Sequence, residues 1–417
     1  MGVLLSCQRI AAISVAILAT ACTTVPKGPA YPDPDVENPG LIIIAEPLQT
    51  PPSAPRVQTP PPAPTEPPPE PVIEAPMPSG FAGLAYWSSH DPRPALAAFV
   101  RGCETWAKAE PDAPLNANLP QYGTYADWQL TCQSASVLQS VEPAAIDART
   151  FFESWFAPVT LTTPAAPEGL LTGYYEPEVD VSVQPTSEFS EPILAKPNSA
   201  EALALPRSKV NARTSRVIAY GKPIDVFFLQ IQGSGRLKYR DGRILRAAYA
   251  ANNGRPYRSI GGVLIRRGEL TREQASKQSI ADWMERSGPV PARALMNENS
   301  RYIYFTEQAI LLGEGPQGAM RVPLTAMGAI AIDPRYHPYG SLFWLETTLP
   351  TEGGDYRGTP TGILVAAQDT GSAIKGPLRA DLFFGSGDAA GDRAGVQKHP
   401  VRWTVLLPRG LANPPIS

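Results

Sequence analysis

Residues 365–385 read VAAQDTGSAIKGPLRADLFFG and carry two carboxylates in otherwise small and apolar surroundings. Asp369 ends the first apolar run, and Asp381 interrupts the second. Aspartate is depleted from strands because its side chain competes with the backbone ladder for hydrogen bonds. A third aspartate, Asp333, follows a similar run in AIAIDPRYHPYG. Each has a bland explanation, a turn or cap whose side-chain oxygen accepts backbone N–H bonds. That explanation suits Asp333, which precedes Pro334. For Asp369, which precedes Thr370 and Gly371, it fits no better than a chemical role. It fits Asp381 worst, because Leu382, Phe383 and Phe384 continue the strand.

Other catalytic groups are scarce. The chain has three histidines, His90, His337 and His399, and no two stand at metal-ligand spacing. It has no HExxH, CxxC or GxSxG motif, and QGSGRL (232–237) lacks the ending of a phosphate loop. QGSGRL reads instead as a tight turn or a close backbone contact to a ligand. No metal and no cofactor is expected, and carboxylates are the natural groups for proton transfer. The string DTGS also matches half of an aspartic-protease dyad. That chemistry needs two carboxylates sharing one proton, each on its own DTG or DSG turn. The chain holds no second copy.

These carboxylates need strands to hold them. SRYIYFTE, AMGAIAIDPRYHPYGSLFWLET, GILVAAQD, RADLFF and VRWTVLLP read as strands, and LLTGYYEPEVDVSV as strand, turn, strand. IDVFFLQIQGSGRLKYRDGRILRAAY reads as a long strand, a glycine turn and a hairpin at Asp241-Gly242. Alternation in that strand puts Gln230 and Gln232 on one face, a polar-groove signal. Helices are expected at PALAAFVRGCETWAKA, opened by Asp91-Pro92, and at AIDARTFFESWFAPV. In the latter, Ile146, Phe151, Phe152, Trp155 and Phe156 form an apolar face. A third covers TREQASKQSIADWMERSG, capped by Thr271 with Gln274 and ended at Ser287-Gly288. Many short strands with Gly and Pro turns indicate a mainly β fold with attached helices.

The N-terminus, MGVLLSCQRIAAISVAILATACTT, has a basic residue, a short apolar run and small residues before Cys22. This is the pattern of an export signal over residues 1–21, too short to span a membrane stably. ATAC resembles a bacterial lipoprotein cleavage box with Cys22 as the lipidated residue, and Thr23 after it favours the outer membrane. An ordinary signal peptide that contains a cysteine is the alternative. Residues 22–79 are expected to form a linker. From Pro47 to Pro78, 14 of 32 residues are proline. That density forbids helix and strand and favours an extended spacer, about 3.1 Å per residue. The cysteines left after export, Cys103 and Cys132, suggest one disulfide in an oxidising compartment, with two buried thiols as the alternative. Charged residues make up 18% of the 417 and the net charge is −3, so a basic nucleic-acid footprint is absent.

The C-terminal stretch AIAIDPRYHPYGSLFWLE…ILVAAQDTGSAIKGPLRADLFFGSGDAAGDRAG resembles the three-aspartate domain, a double-psi β-barrel. A wider set of blocks resembles the membrane-bound lytic murein transglycosylase A family. That set comprises LTGYYEPEV (171–179), FFLQIQGSGRL (227–237), YAANNGRPYRSIGGVLI (249–265) and NENSRYIYF (297–305). The blocks fall in order over about residues 80–408. One small departure is GSAIKG after Asp369, where the family usually has GGAIKG.

The resemblance implies a double-psi barrel domain with N-terminal helices (80–177 and 298–410). A smaller β-rich domain is inserted at 178–297, with the substrate groove between them. It implies a carbon–oxygen lyase that cleaves the β-1,4 bond from N-acetylmuramic acid to N-acetylglucosamine in peptidoglycan. The product is 1,6-anhydromuramic acid, formed by attack of the sugar's own C6 hydroxyl. An intramolecular nucleophile leaves one carboxyl sufficient as acid and then base. By resemblance that group is Asp381, with Asp369 and Asp333 in support. Such an acid needs a raised pKa, from apolar neighbours and the charge of Asp369, against which Lys375 or Arg379 would act. Gly173, Tyr174, Tyr175, Gln230, Gln232, Gly233 and Ser234 are the glycan-binding expectations. Core packing is an equal alternative for the tyrosines. A two-carboxylate hydrolase and a non-catalytic peptidoglycan-binding barrel are the rival readings. Expected partners are glycan strands and, through Cys22, outer-membrane lipid. Proteins of cell-wall synthesis or division, of unspecified identity, are further candidate partners.

Overall fold

A computed structural model of the chain describes residues 72–76, 80–164, 167–271, 274–310, 315–351 and 357–412. The export signal, Cys22 and most of the proline-rich segment lie outside the described residues. The strands in chain order are β1 (Val72–Pro76), β2 (Phe156–Thr162), β3 (Gly169–Glu176), β4 (Glu178–Ser182), β5 (Glu191–Leu194), β6 (Val217–Gly221) and β7 (Gly235–Tyr239). They continue with β8 (Ile244–Asn252), β9 (Ile303–Gln308), β10 (Ala329–Ala331), β11 (Leu342–Leu349), β12 (Thr359–Asp369), β13 (Arg379–Ser386) and β14 (Lys398–Pro408). The helices are α1 (Arg93–Trp106), α2 (Tyr125–Gln139), α3 (Ala145–Trp155), α4 (Ala200–Leu203), α5 (Pro223–Gln232), α6 (Ile260–Arg266), α7 (Lys277–Ser287), α8 (Pro289–Glu298), α9 (Asp388–Val396) and α10 (Arg409–Ala412).

One sheet runs β1-β2-β14-β11-β12-β10-β13-β3, and a further pairing of β14 with β3 closes it. Six strands therefore form a ring, with β2 and β1 added on the flank of β14. Closure leaves no edge strand within the ring. Its strands are buried on both faces: Ile330, Leu364, Val365, Ala366, Leu382 and Val405 are all essentially inaccessible. Helix α1 packs Leu96, Phe99 and Trp106 against this core. Cys103 on α1 is joined to Cys132 on α2 by a disulfide, Cα–Cα 5.5 Å. The second sheet, β5-β6-β4-β7-β8-β9, is six-stranded. Helix α5 lies between it and the α6, α7 and α8 layer. Val226 and Leu229 face the sheet core, while Phe227 and Phe228 join Ile260, Leu264, Met284 and Leu295.

Four sequence expectations need correcting. Residues 72–76, assigned to the proline linker, form strand β1 antiparallel to β2. Their single proline closes the strand, a position that an edge strand tolerates. FFLQIQ is helix, not strand, so its alternation has no structural meaning. Pro223 starts α5, and Gly233 ends it with φ +87. A helix buried on two sides is apolar all round, and periodicity cannot distinguish it from a buried strand. Helix α3 stops at Trp155, so Phe156 belongs to β2, and Ile146 is exposed rather than facing the core. Helix α7 starts at Lys277 behind Ser276; Thr271 and Gln274 exchange bonds at 3.1 and 3.3 Å before the helix begins.

The two sheets are joined through consecutive residues of β3. Glu176 is inaccessible to solvent and accepts from Arg236 Nε on β7 at 3.0 Å and Arg246 Nε on β8 at 2.6 Å. Ser386 Oγ of β13 donates to the same carboxylate at 2.7 Å. Gln232 Oε1 accepts the Tyr175 N–H at 3.2 Å, and Lys277 Nζ donates to the Tyr175 hydroxyl at 2.6 Å. Removing one partner of a buried ion pair costs more than the pair gains, since the other charge is left uncompensated. Glu176→Gln is expected to lower the unfolding free energy by about 3 kcal/mol or more in urea melts. A change below about 0.5 kcal/mol would show that the clamp does not stabilise the fold.

Candidate active site

The ring's hydrogen-bond register brings two of the three aspartates together. On one side of the three-residue strand β10, Ala331 pairs with Asp381 of β13; on the other it pairs with Asp369 of β12. Asp381 is paired in turn with Thr172 of β3. Two strand spacings separate the two aspartate backbones, about 9–10 Å.

Asp381 Oδ1 accepts from Thr172 Oγ1 at 2.5 Å, and Arg379 Nη2 donates to the same hydroxyl at 2.7 Å. Burial is the largest influence on Asp381 and pushes its pKa from 3.8 to about 6. Arg379 and the Thr172 bond oppose that rise, and the charge of Asp369 adds to it. It is therefore a carboxyl that can hold a proton near neutrality. The residue as a whole is only partly buried. Asp369 is also raised by burial, against the pull of the Thr370 and Ala319 N–H groups and the Tyr174 hydroxyl. Both of its oxygens are engaged: Ala319 N–H donates to Oδ1 at 2.9 Å and Tyr174 OH to Oδ2 at 3.0 Å.

Asp333 is used differently. Its side chain is inaccessible, accepts from Arg335 Nη2 at 2.6 Å and takes the Gly376 N–H at 2.9 Å. Burial alone would raise its pKa, but these bonds hold it below the usual carboxylate value. It pins the loop after Asp369. His337, inaccessible to solvent, bonds Tyr122 at 2.8 Å and the Pro377 carbonyl at 2.6 Å, a structural arrangement. Among the described residues no cluster of three or more His, Cys, Asp or Glu could hold a metal.

A cavity of about 700 Å³ opens between the two sheets. Tyr174, Asp369, Thr370 and Lys375 line its barrel side; Gln230, Gln232, Gly233, Ser234, Tyr249 and Arg301 line the other. A second cavity of about 440 Å³ is lined by Thr172, Gly173, Phe228 and Ser276. Tyr257 lines both. Asp381 lines neither, but its neighbours do: its partner Thr172 lines the second cavity, and Asp369 and Tyr174 line the first. It is close enough to Tyr257 for its charge to raise that hydroxyl's pKa, after the larger effect of burial.

Several glycan-binding expectations acquire structural duties. Gly173 borders the second cavity, but a Cβ there would meet Phe384 at 2.6 Å and Ala394 Cα at 2.9 Å, so packing requires the glycine. Tyr175 is buried and tied to Lys277, while Tyr174 faces Asp369. Gln230 is buried on α5 and accepts from Arg207. Gln232 bonds to β3 and lines the larger cavity together with Gly233 and Ser234. The sequence reading missed Thr172 as a partner of Asp381, although it lies inside the quoted LTGYYEPEV. It also missed Tyr257, which lies inside a quoted block, and Arg207, which carries no sequence signal.

These features define a class of protein, a closed β-barrel with an inserted β lobe and a carboxylate-centred groove. Residues 200–306 match the model of the MltA specific insert domain, and residues 328–407 match the 3D domain. The chain is 34% identical over 248 residues to membrane-bound lytic murein transglycosylase A of Escherichia coli (strain K12), covering 58% of this chain and 67% of that one. Its fold is similar to the membrane-bound lytic murein transglycosylase from Agrobacterium tumefaciens, with TM-score 0.68 at 30% identity over 82% of this chain and 98% of that one. It is also similar to E. coli MltA with bound chitohexaose, TM-score 0.58 at 26% identity, covering 75% and 89%. The chain belongs to the membrane-bound lytic murein transglycosylase A family.

Because the folded-state pKa of Asp381 lies above its value in the unfolded chain, folding disfavours the charged form. The favourable contribution of the protonated group is complete below about pH 4 and is lost as pH rises through about 6. Asp381→Asn is expected to stabilise the protein at pH 8 by about 1–3 kcal/mol, with no gain below about pH 4. Thermal melts across pH check this, and a destabilised variant at pH 8 contradicts it.

Proposed function

We propose that this chain is a peptidoglycan lytic transglycosylase in which Asp381 alone supplies acid and base. The observation that carries the reading is a carboxyl raised to about 6 whose hydrogen-bond partner Thr172 lines one cavity and whose neighbour Asp369 lines the other. In this reading residues 80–177 and 309–410 make the barrel lobe and 178–308 the inserted lobe; β9, expected from sequence in the barrel part, pairs with β8 of the second sheet. A strand laid in the groove puts the bond between N-acetylmuramic acid and N-acetylglucosamine at Asp381. The protonated carboxyl gives its proton to the leaving oxygen. The resulting carboxylate takes the proton of the C6 hydroxyl as that oxygen attacks C1 of the same ring. The products are a 1,6-anhydromuramic end and a free 4-hydroxyl, no water is consumed, and Asp381 is again protonated. Proximity of the C6 hydroxyl replaces the second carboxylate that a hydrolase needs.

Asp369 supports this acid through its charge, which helps Asp381 keep the proton. With both oxygens already accepting, it is poorly placed to activate water. Asp333 supports by holding the Gly376 loop. The E. coli relative's bound chitohexaose favours glycan in the groove of this chain too. We further propose export, with lipidation at Cys22 anchoring the enzyme in the outer membrane and the proline-rich segment giving it reach toward the wall.

Mass spectrometry of digested murein sacculi tests the reaction. Anhydromuropeptides are expected; reducing sugars would mean a hydrolase and no release a binding module. Asp381→Ala should lower turnover by about 1,000-fold or more, at the upper end for a general acid–base group. Normal turnover would remove Asp381 from the role. The protonated fraction falls tenfold per unit above the pKa, so kcat/KM should decline above about pH 6. A flat profile from pH 6 to about 8 contradicts the assignment.

A further inference from the structure

The chain carries a net charge of −3, yet the larger cavity is lined by four cations, Arg207, Arg301, Arg321 and Lys375, against one carboxylate, Asp369. Two cations stand on the barrel side and two on the inserted lobe, so the charge faces the groove from both walls. Asp369 is already engaged by Ala319 and Tyr174. Arg207 is the buried member, 6% exposed, between the Phe227 and Tyr302 rings at 4.7 and 5.2 Å. Its bonds go to neutral acceptors: the Asn299 carbonyl at 2.9 Å, the Arg301 carbonyl at 2.7 Å and the Gln230 amide. Arg301 donates to the Arg255 carbonyl at 3.1 Å. Among the described residues none of the four pairs with a carboxylate within ion-pair distance, whereas exposed arginines elsewhere do. Arg321 in addition holds a left-handed backbone, φ +63, a conformation costly for a residue with a side chain.

Arg207 feels the charge of Glu191, but Glu191 is already paired with Arg293, and cations with no carboxylate in contact favour a ligand that supplies one. We infer that this cavity binds a carboxylate carried by the lactyl substituent of muramic acid, either the free lactyl acid or the acids of an attached stem peptide. The inference rests on the murein reading of the groove and adds to it a means of telling murein from an uncharged β-1,4 glycan. Such a polymer of N-acetylglucosamine has no acid to offer these cations. Contacts of this kind are weakened by salt, because screening shortens the reach of partly exposed charges.

The test uses the full chain carrying Asp381→Asn and measures affinity for three six-sugar ligands: chitohexaose, peptide-free murein oligomer and the same oligomer with stem peptides. At least one carboxylate-bearing ligand should bind about tenfold tighter than chitohexaose at low salt, with the gap shrinking at about 0.5 M salt. The Arg301→Gln/Lys375→Gln double variant should lose most of the gap. Arg321→Gln, at an exposed site, serves as a second variant, with melting curves checking that each is folded. A gain for the peptide-free oligomer assigns the lactyl acid, and a gain only with peptides assigns the stem. Equal affinities, or a gap that neither salt nor charge removal reduces, overturn the inference. Failure of the parent to release anhydromuropeptides from sacculi would instead sink the lyase reading, so the two failures are told apart.

Discussion

The structure depends on the register of one very short strand. Strand β10 has three residues, and its Ala331 is flanked by Asp369 on β12 and Asp381 on β13. A slip of one residue in either pairing would turn the corresponding carboxylate to the opposite face of the sheet. Closure of the ring through the β14–β3 pairing prevents that slip, because every strand is held on both sides. Burial between its neighbouring strands and the residues packed over them then disfavours the charged form of Asp381. Packing, register and proton affinity are thus one constraint, and the acid's raised pKa follows from the fold.

The second lobe is useful only if it stays at a fixed distance from that acid. Glu176 is the last residue of β3, three strand positions beyond the Gly173 that faces Leu382. It holds Arg236 and Arg246 of the inserted sheet, while neighbouring Tyr175 binds Gln232 and Lys277. The strand that positions the acid's partner Thr172 therefore also fixes the opposite wall of the groove. Arg207 gives that wall rigidity by joining the Asn299–Arg301 turn to α5.

The barrel strands around the aspartates were legible because small apolar runs end in turn residues, as at Asp369-Thr370-Gly371. The suspicion attached to Asp381 was also legible, since a carboxylate inside ADLFFG has no turn to cap. Helix α5 was not: PIDVFFLQIQ is buried against a sheet on one side and helices on the other, and its uniform hydrophobicity hides the helical period. Helix α2 was passed over because only Trp128, Thr131 and Ala135 of its fifteen residues are buried, leaving a weak apolar stripe. Strand β1 was masked by the prolines that precede it. The cation-lined wall could not be read at all, because Arg207, Arg301, Arg321 and Lys375 come from four separate segments that only the tertiary fold assembles.

The central claim is that Asp381 retains a proton near neutrality because burial and a neighbouring carboxylate disfavour its charge. The most direct measurement is an NMR titration of aspartate side-chain 13C carboxyl signals, with Asp381 assigned by its disappearance in Asp381→Asn. The account predicts a midpoint at about 6 for this residue. A midpoint near the ordinary aspartate value of about 3.9 would contradict it.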